Sequence, residues 1–181
     1  MRITTGRYKG RDILAPIGIR PTKNIVRKAI FDILGDVSGI SFLELFAGSG
    51  AVGFEAISRG AIGLILVESS HSCQLAIKKS IELLKASSCV LYPLEAERAI
   101  AQLYKSQEKF DIIFLDPPYY QDLAKKTLQT LEACDILSPD GLIILQHFKK
   151  ENLPDDLGVL SLFRQSKYGD TLLSFYRKRV I

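Results

Sequence analysis

The chain has 181 residues and a mass of 20.2 kDa, with 47% hydrophobic and 24% charged residues, 13 Gly, 7 Pro and 3 Cys. This composition excludes a disordered, collagen-like or disulfide-framework chain. The formal net charge of +4 is unevenly spread: residues 1–30 carry eight Lys and Arg against Asp12 alone, giving +7, and the remainder sums to −3. A basic leading segment on a mildly acidic body predicts a polyanion contact at one end, because phosphates attract Lys and Arg at long range. Cys73, Cys89 and Cys134 are odd in number and lie in no metal-ligand spacing, so they read as reduced thiols, and no metal is expected. No apolar stretch approaches the roughly 18 residues of a membrane span, and Met1–Arg7 lacks the apolar run of a signal peptide. A cytoplasmic protein without a membrane partner is expected.

Taken in chain order, residues 3–14 read as a small hairpin around Gly6 and Gly10. Pro21-Thr22 then opens a helix of about 13 residues, with Ile25, Ala29, Ile30 and Ile33 on its apolar face and Lys23, Arg27 and Lys28 largely elsewhere. After residue 40 the pattern changes. Short apolar runs at 41–46, 63–68, 89–92, 111–115 and 141–146 alternate with helical patterns at about 49–59, 71–86, 94–106 and 121–136. Near-continuous apolar strands with crossover helices predict an α/β fold with a Rossmann-like, doubly wound and mostly parallel sheet. Residues 159–165 and 171–177, joined around Gly169-Asp170, predict a C-terminal hairpin that adds an antiparallel strand. The expected organisation is a basic hairpin-helix extension over 1–36 and a catalytic domain over 37–181.

The first strand runs into Phe46-Ala47-Gly48-Ser49-Gly50-Ala51-Val52-Gly53, so Gly48, Gly50 and Gly53 fit GxGxxG at a strand-to-helix turn. There the backbone can approach a ligand closely, with helix N-terminal amides facing it. Glu68 closes the second strand, where an acid can hold a ribose hydroxyl pair. Dinucleotide enzymes and nucleoside-binding transferases share this pattern. Glu44 sharpens the choice, because an acid inside the run Phe42-Leu43-Glu44-Leu45-Phe46 is costly to bury unless loop amides or a cationic ligand meet it. A pyrophosphate-binding turn gains nothing from an anion at that point.

The fourth strand ends in Asp116-Pro117-Pro118-Tyr119. Ligands of open α/β sheets bind outside the carboxyl ends of the strands, and two prolines fix two φ angles, leaving carbonyls aimed in set directions. If Asp116 and the Pro117 carbonyl each accept one N–H of an exocyclic amine, the nitrogen lone pair is turned toward an electrophilic methyl group. Tyr119 can stack on the base. The plainer alternative is a stiffened loop in which Asp116 caps the next helix.

With these residues, the chain resembles the class I S-adenosylmethionine-dependent methyltransferases that act on amino groups. More narrowly it is similar to the RsmD family, bacterial guanine-N2 methyltransferases of small-subunit ribosomal RNA. The resemblance rests on Arg2-Ile3, Gly10-Arg11, Arg20-Pro21-Thr22, Leu45 to Gly50, Glu68, Asp116 to Tyr119 and Tyr168-Gly169-Asp170-Thr171. It implies S-adenosylmethionine as cofactor, lined by Glu44, Ala47, Gly48, Ser49, Gly50 and Gly53, with Glu68 on the ribose and Glu95-Ala96 beside the adenine. It also implies that Asp116, Pro117, Pro118 and Tyr119 receive the guanine. The implied partner is 16S rRNA in the small ribosomal subunit or an assembly intermediate, gripped by Arg2, Arg7, Lys9, Arg11, Arg20, Thr22, Lys23 and Arg27. The chain departs from the family pattern at Asn24, Ile25 and Lys28, at Glu95 where Asp or Asn is usual, and at Gln146 where an acid often closes the fifth strand. Two alternatives stay open: the same chemistry on another RNA, a DNA base or a protein glutamine, and a nicotinamide-dependent oxidoreductase. His71 and His147 sit in no convincing catalytic setting for the latter.

Overall fold

The apolar runs that alternate with helical patterns become strands in the computed structural model, which describes residues 1–16, 18, 22–119 and 122–179. An eight-stranded mixed sheet results, with parallel strands first and antiparallel strands at the C-terminal end, as the sequence rhythm predicts. By its internal contacts the chain divides into two compact units, Met1–Glu95 and Ala96–Ile181.

The first unit holds α1 (Asn24–Leu34), β1 (Ser41–Leu45), α2 (Ala51–Ser58), β2 (Gly63–Val67), α3 (His71–Leu84) and β3 (Cys89–Tyr92). β1 pairs with β2 and β2 with β3, both parallel. All eight residues of α2 are buried, which explains why this helix is apolar nearly all round. Its two polar exceptions, Glu55 and Ser58, are the points where the leading segment attaches. Thr4 donates from its N–H and Oγ1 to the Glu55 carboxylate at 2.9 and 2.7 Å, and the Tyr8 N–H donates to Ser58 Oγ at 3.0 Å. The predicted N-terminal hairpin is present as an antiparallel bridge between Arg2 and Asp12, extended by the Ile3 N–H to the Arg11 carbonyl at 2.9 Å.

Helix α1 is turned relative to the sequence expectation. Val26, Ala29, Ile30 and Phe31 are buried, while Ile25, expected on the apolar face, is 66% exposed. Arg27, expected on the solvent side, is 1% exposed. The physical reason lies 28 residues on: the Glu55 carboxylate stands 4.0 Å from Arg27 Nε, and Arg27 also donates to the Arg2 carbonyl and Asn24 Oδ1 at 2.9 and 3.0 Å. A buried cation with a buried anion and carbonyl acceptors is tolerable where a lone one is not. The helix begins at Asn24, with Lys23 in the capping position; Pro21 lies outside the described residues.

The second unit holds α4 (Ala96–Lys105), β4 (Phe110–Leu115), α5 (Leu123–Ala133), β5 (Leu137–Phe148), β6 (Asp156–Leu157), β7 (Leu160–Tyr168) and β8 (Thr171–Lys178). β4 and β5 are parallel, β8 runs antiparallel to β5 and to β7, and β6 pairs antiparallel with β7. β5 starts four residues before its apolar run. Leu137 pairs with Phe110, and a register shift before the Ile112–Leu142 pair absorbs Pro139, as irregular ladder positions allow. The β7–β8 hairpin turns at Gly169-Asp170 as expected, and β6 has no counterpart in the sequence reading. No helix among the described residues is long and apolar enough to cross a membrane.

Candidate active site

In the first unit the chain leaves β1 through a turn with left-handed backbone at Phe46, Gly48 and Gly50 (φ 57°, 56° and 72°). Phe46 is a non-glycine residue in that region, a conformation that surrounding contacts must hold. The Ala47 N–H donates to the Val67 carbonyl at 3.0 Å and the Gly50 N–H to the Ala47 carbonyl at 2.7 Å. A Cβ at Gly50 would stand 2.9 Å from the Phe54 ring and 3.0 Å from Leu66, so the turn has no room for a side chain there. Ala47 and Ser49 are buried and Gly48 is half-buried.

Two acids lock this turn. Glu44 is 2% exposed, and the Gly53 N–H donates to its Oε2 at 2.7 Å. Gly53 is the third residue of α2, so its N–H is one of the helix's orphan donors, and the capping position is a glycine with no side chain to answer it. Glu44 therefore caps α2 from the neighbouring strand, and its charge sits favourably at the positive end of the helix. A Cβ at Gly53 would come within 2.7 Å of the same Oε2. Where the sequence predicts loop amides or a cationic ligand as partners for a buried Glu44, the structure supplies an amide from the first turn of α2. Burial pushes the Arg27 pKa down, and the charges of Glu55 and then Glu44 oppose that shift. Glu68 is half-buried at the end of β2 and accepts the Gly48 N–H at 2.6 Å and the Ser70 N–H at 2.8 Å. A carboxylate offers about four acceptor positions, so Glu68 keeps capacity for hydroxyl donors. Glu95 is exposed just ahead of α4, and Ala96, the first residue of that helix, is buried.

In the second unit Asp116 follows the last residue of β4. Leu115 pairs with Leu145, which sets Gln146 beside Asp116 at the next level, and Gln146 Nε2 donates to Asp116 Oδ2 at 2.9 Å. Pro117 is buried, Pro118 exposed and Tyr119 half-buried, its ring centroid 5.9 Å from that of Phe148 at an interplanar angle of 37°. The Phe148 N–H donates to Glu151 Oε2 at 3.0 Å, which fixes the strand end behind the Tyr119 ring. Asp122 occupies the capping position of α5, six residues beyond Asp116, so Asp116 does not start that helix. His147, 1% exposed, points its Nε2 at Ser174 Oγ 2.8 Å away, and burial pushes its pKa below the ordinary 6.5. Sequence reasoning assigned no role to Phe148 and saw Gln146 only as a departure. The available signal was that both sit on the parallel neighbour of β4, at its carboxyl end.

The basic residues of the leading segment divide in two. Arg2, Arg7, Lys9, Arg11 and Lys23 are exposed, and Thr22 is half-buried. The Arg7 and Arg11 guanidinium groups lie 4.6 and 5.9 Å from the Tyr8 ring centroid, Arg11 donates to the Leu83 carbonyl, and Arg2 stands 3.6 Å from Asp12. Arg20 lies outside the described residues. Arg27 leaves the set of surface contacts, because its charge is spent inside the unit on Glu55. No cluster of metal-ligating side chains occurs among the described residues.

A parallel α/β sheet whose first strand feeds a glycine turn, with acids at strand ends and an antiparallel C-terminal hairpin, is the Rossmann-like arrangement of solved methyltransferases. The SAM-dependent methyltransferase from Agrobacterium tumefaciens shares this fold, with a TM-score of 0.61 and 20% identity over 75% of this chain and 47% of that one. A family model described as "Conserved hypothetical protein 95" matches residues 1–177, and the chain belongs to this family, the RsmD family. The Escherichia coli K12 protein named ribosomal RNA small subunit methyltransferase D is 32% identical over 181 residues, covering 98% of this chain and 90% of that protein. A solved structure of a hypothetical protein from Thermus thermophilus superposes with a TM-score of 0.85 at 31% identity, covering 98% and 99% of the two chains.

Proposed function

We propose that this chain transfers a methyl group from S-adenosylmethionine to the exocyclic N2 amine of a guanine in small-subunit ribosomal RNA. The observation that carries this reading is Asp116, a half-buried strand-end carboxylate held by Gln146 and followed by a buried proline and a half-buried tyrosine. The name of the Escherichia coli relative supports the RNA class. The glycine turn suits the cofactor: Gly48 and Gly50 hold the left-handed backbone of a tight strand-to-helix turn, and Glu68 retains acceptor capacity for a ribose hydroxyl pair. Glu95 and Ala96 would flank the adenine. Glu44 would act by holding the turn, through Gly53, in the shape the cofactor needs.

When bound, the cofactor supplies a methyl group on a sulfonium. Asp116 and the Pro117 carbonyl each accept one N–H of the amine, so the nitrogen lone pair points along the line of attack. The glycine turn and Glu68 would hold the cofactor so that its methyl group passes to that nitrogen and the C–S electron pair stays on sulfur. Positive charge builds on the nitrogen, Asp116 stabilises it, and the surplus N–H proton leaves through the Asp116 carboxylate to water. Tyr119, backed by Phe148, supplies a face on which the base stacks, an interaction worth about 1–3 kcal/mol per base. Arg2, Arg7, Lys9, Arg11 and Lys23 would hold the RNA backbone, so the segment over 1–36 serves as the RNA grip.

The test offers labelled S-adenosylmethionine with the enzyme to small subunits from a strain lacking it, to naked ribosomal RNA and to DNA, followed by mass spectrometry of the nucleosides. N2-methylguanosine in the subunit RNA is the expected product. N6-methyladenosine, label in DNA, or label in protein would overturn the reading.

A further inference from the structure

Strand β5 carries, beside Asp116, a buried polar atom that the described residues do not satisfy. Gln146 is 7% exposed, and its Nε2 donates to Asp116 Oδ2 at 2.9 Å. That bond fixes the orientation of the amide. A carboxylate can only accept, so the nitrogen must face Asp116 and the oxygen must face away from it. Gln146 Oε1 is buried and has no hydrogen-bond partner among the described residues. An unanswered buried carbonyl oxygen is unfavourable and calls for a specific explanation. Among the described residues the other buried side-chain atoms without partners belong to Arg27, Ser88, Glu97 and Thr127, and none of those side chains touches Asp116 in a hydrogen bond.

We propose that Gln146 Oε1 accepts the N1–H of the acceptor base, making Gln146 the residue that selects guanine among bases carrying an exocyclic amine. This inference rests on the guanine-N2 reading above. Guanine presents its N1–H and its 2-amino group on neighbouring atoms of one edge, with the N–H bonds pointing the same way. Asp116 and Gln146 are neighbours across the β4–β5 ladder, so an acceptor oxygen on each can serve one of these two groups. Adenine, cytosine and 2,6-diaminopurine carry a lone pair on the ring nitrogen beside the amine. Against Oε1 such a base sets two acceptors face to face, and neither is satisfied. The amide cannot turn to adapt, because turning it would aim Oε1 at the Asp116 carboxylate. A site built to accept a particular N–H rejects the analogue without it far more strongly than an apolar pocket could.

The experiment uses reconstituted small subunits whose RNA is joined by splinted ligation. The target position, mapped by mass spectrometry, then carries either guanosine or 2,6-diaminopurine riboside, both with a 2-amino group. Single-turnover methylation rates on the two RNAs are compared for the wild type, Gln146→Met and Gln146→Glu. The ratio of the two rates within one enzyme preparation does not depend on how much of a variant is folded, and intrinsic differences between the amines cancel between enzymes. The guanosine preference should fall by about 10- to 100-fold in Gln146→Met, the range expected for a buried acceptor losing its donor. Gln146→Glu keeps an acceptor oxygen but loses the donor to Asp116, so it should slow both reactions while retaining the preference to within about threefold. An unchanged preference in Gln146→Met, or a loss in Gln146→Glu as complete as in Gln146→Met, overturns the inference while leaving the guanine-N2 reading intact. A wild type that forms no N2-methylguanosine overturns both.

Discussion

Glu44 and Glu68 in the first unit and Asp116 in the second all stand at or near the carboxyl end of a strand, yet their partners differ in kind. Glu44 and Glu68 accept backbone N–H groups from Gly53, Gly48 and Ser70. Those donors are backbone groups, which a side-chain substitution other than proline leaves in place. Asp116 is held by the side-chain amide of Gln146, one strand over. The first arrangement fixes a backbone shape that suits a cofactor common to a large enzyme class. The second places recognition in a side chain, which is where substrate choice can be varied without disturbing the sheet.

The comparison breaks most visibly at Asp116. Replacing it with Ala should lower single-turnover methyl transfer by about 10²–10³-fold or more, the range seen when a preorganised charge-stabilising group is removed, and a quenched-flow assay measures this. Equal activity in that variant would take Asp116 out of the chemistry.

A second contrast lies among the arginines of the leading segment. Arg27→Ala leaves Glu55 without one of its two cationic neighbours inside the unit, and should cost about 3 kcal/mol in urea unfolding while leaving the salt dependence of RNA binding unchanged. Combined substitution of Arg2, Arg7 and Lys9 by Ala should do the reverse. Stability should barely move, and the slope of log affinity against log salt should shrink by roughly two to three, as three phosphate contacts are lost. A flattened slope in Arg27→Ala would return that residue to the RNA surface.

The smallest expected effect is in pH dependence. Burial holds His147 neutral, with its pKa below the ordinary 6.5, so below about pH 6.5 the unfolded chain binds a proton that the folded chain refuses. The stability this residue contributes is fully present above that pH and declines as pH falls toward the folded-state value, by at most about 1.4 kcal/mol per pH unit. Urea midpoints at pH 7.5 and 5.5 should therefore differ less in His147→Gln than in the wild type.

Much of this architecture is legible in the sequence because it rests on local patterns. Apolar runs mark β1 to β5 to within a few residues, Gly169-Asp170 marks the last hairpin, and the spacing of Gly48, Gly50 and Gly53 marks the turn. What the sequence hides depends on contacts between distant residues. Amphipathic spacing alone puts Arg27 outside and Ile25 inside, and only a carboxylate 28 residues away reverses them. The early start of β5 depends on a bulge that accommodates Pro139, and the short β6 exists only because β7 is there to pair with it. Gln146 could be read as a departure from a pattern, but its meaning appears only when the β4–β5 register sets it against Asp116.

The division of labour between the two turns has a direct measurement: calorimetric titration of S-adenosylhomocysteine into Glu68→Ala and Asp116→Ala side by side. The account predicts that Glu68→Ala loses about tenfold or more in affinity, as a buried hydroxyl contact and the Gly48 N–H lose their acceptor, while Asp116→Ala binds within about threefold of the wild type. Undiminished binding in Glu68→Ala together with lost binding in Asp116→Ala would contradict it.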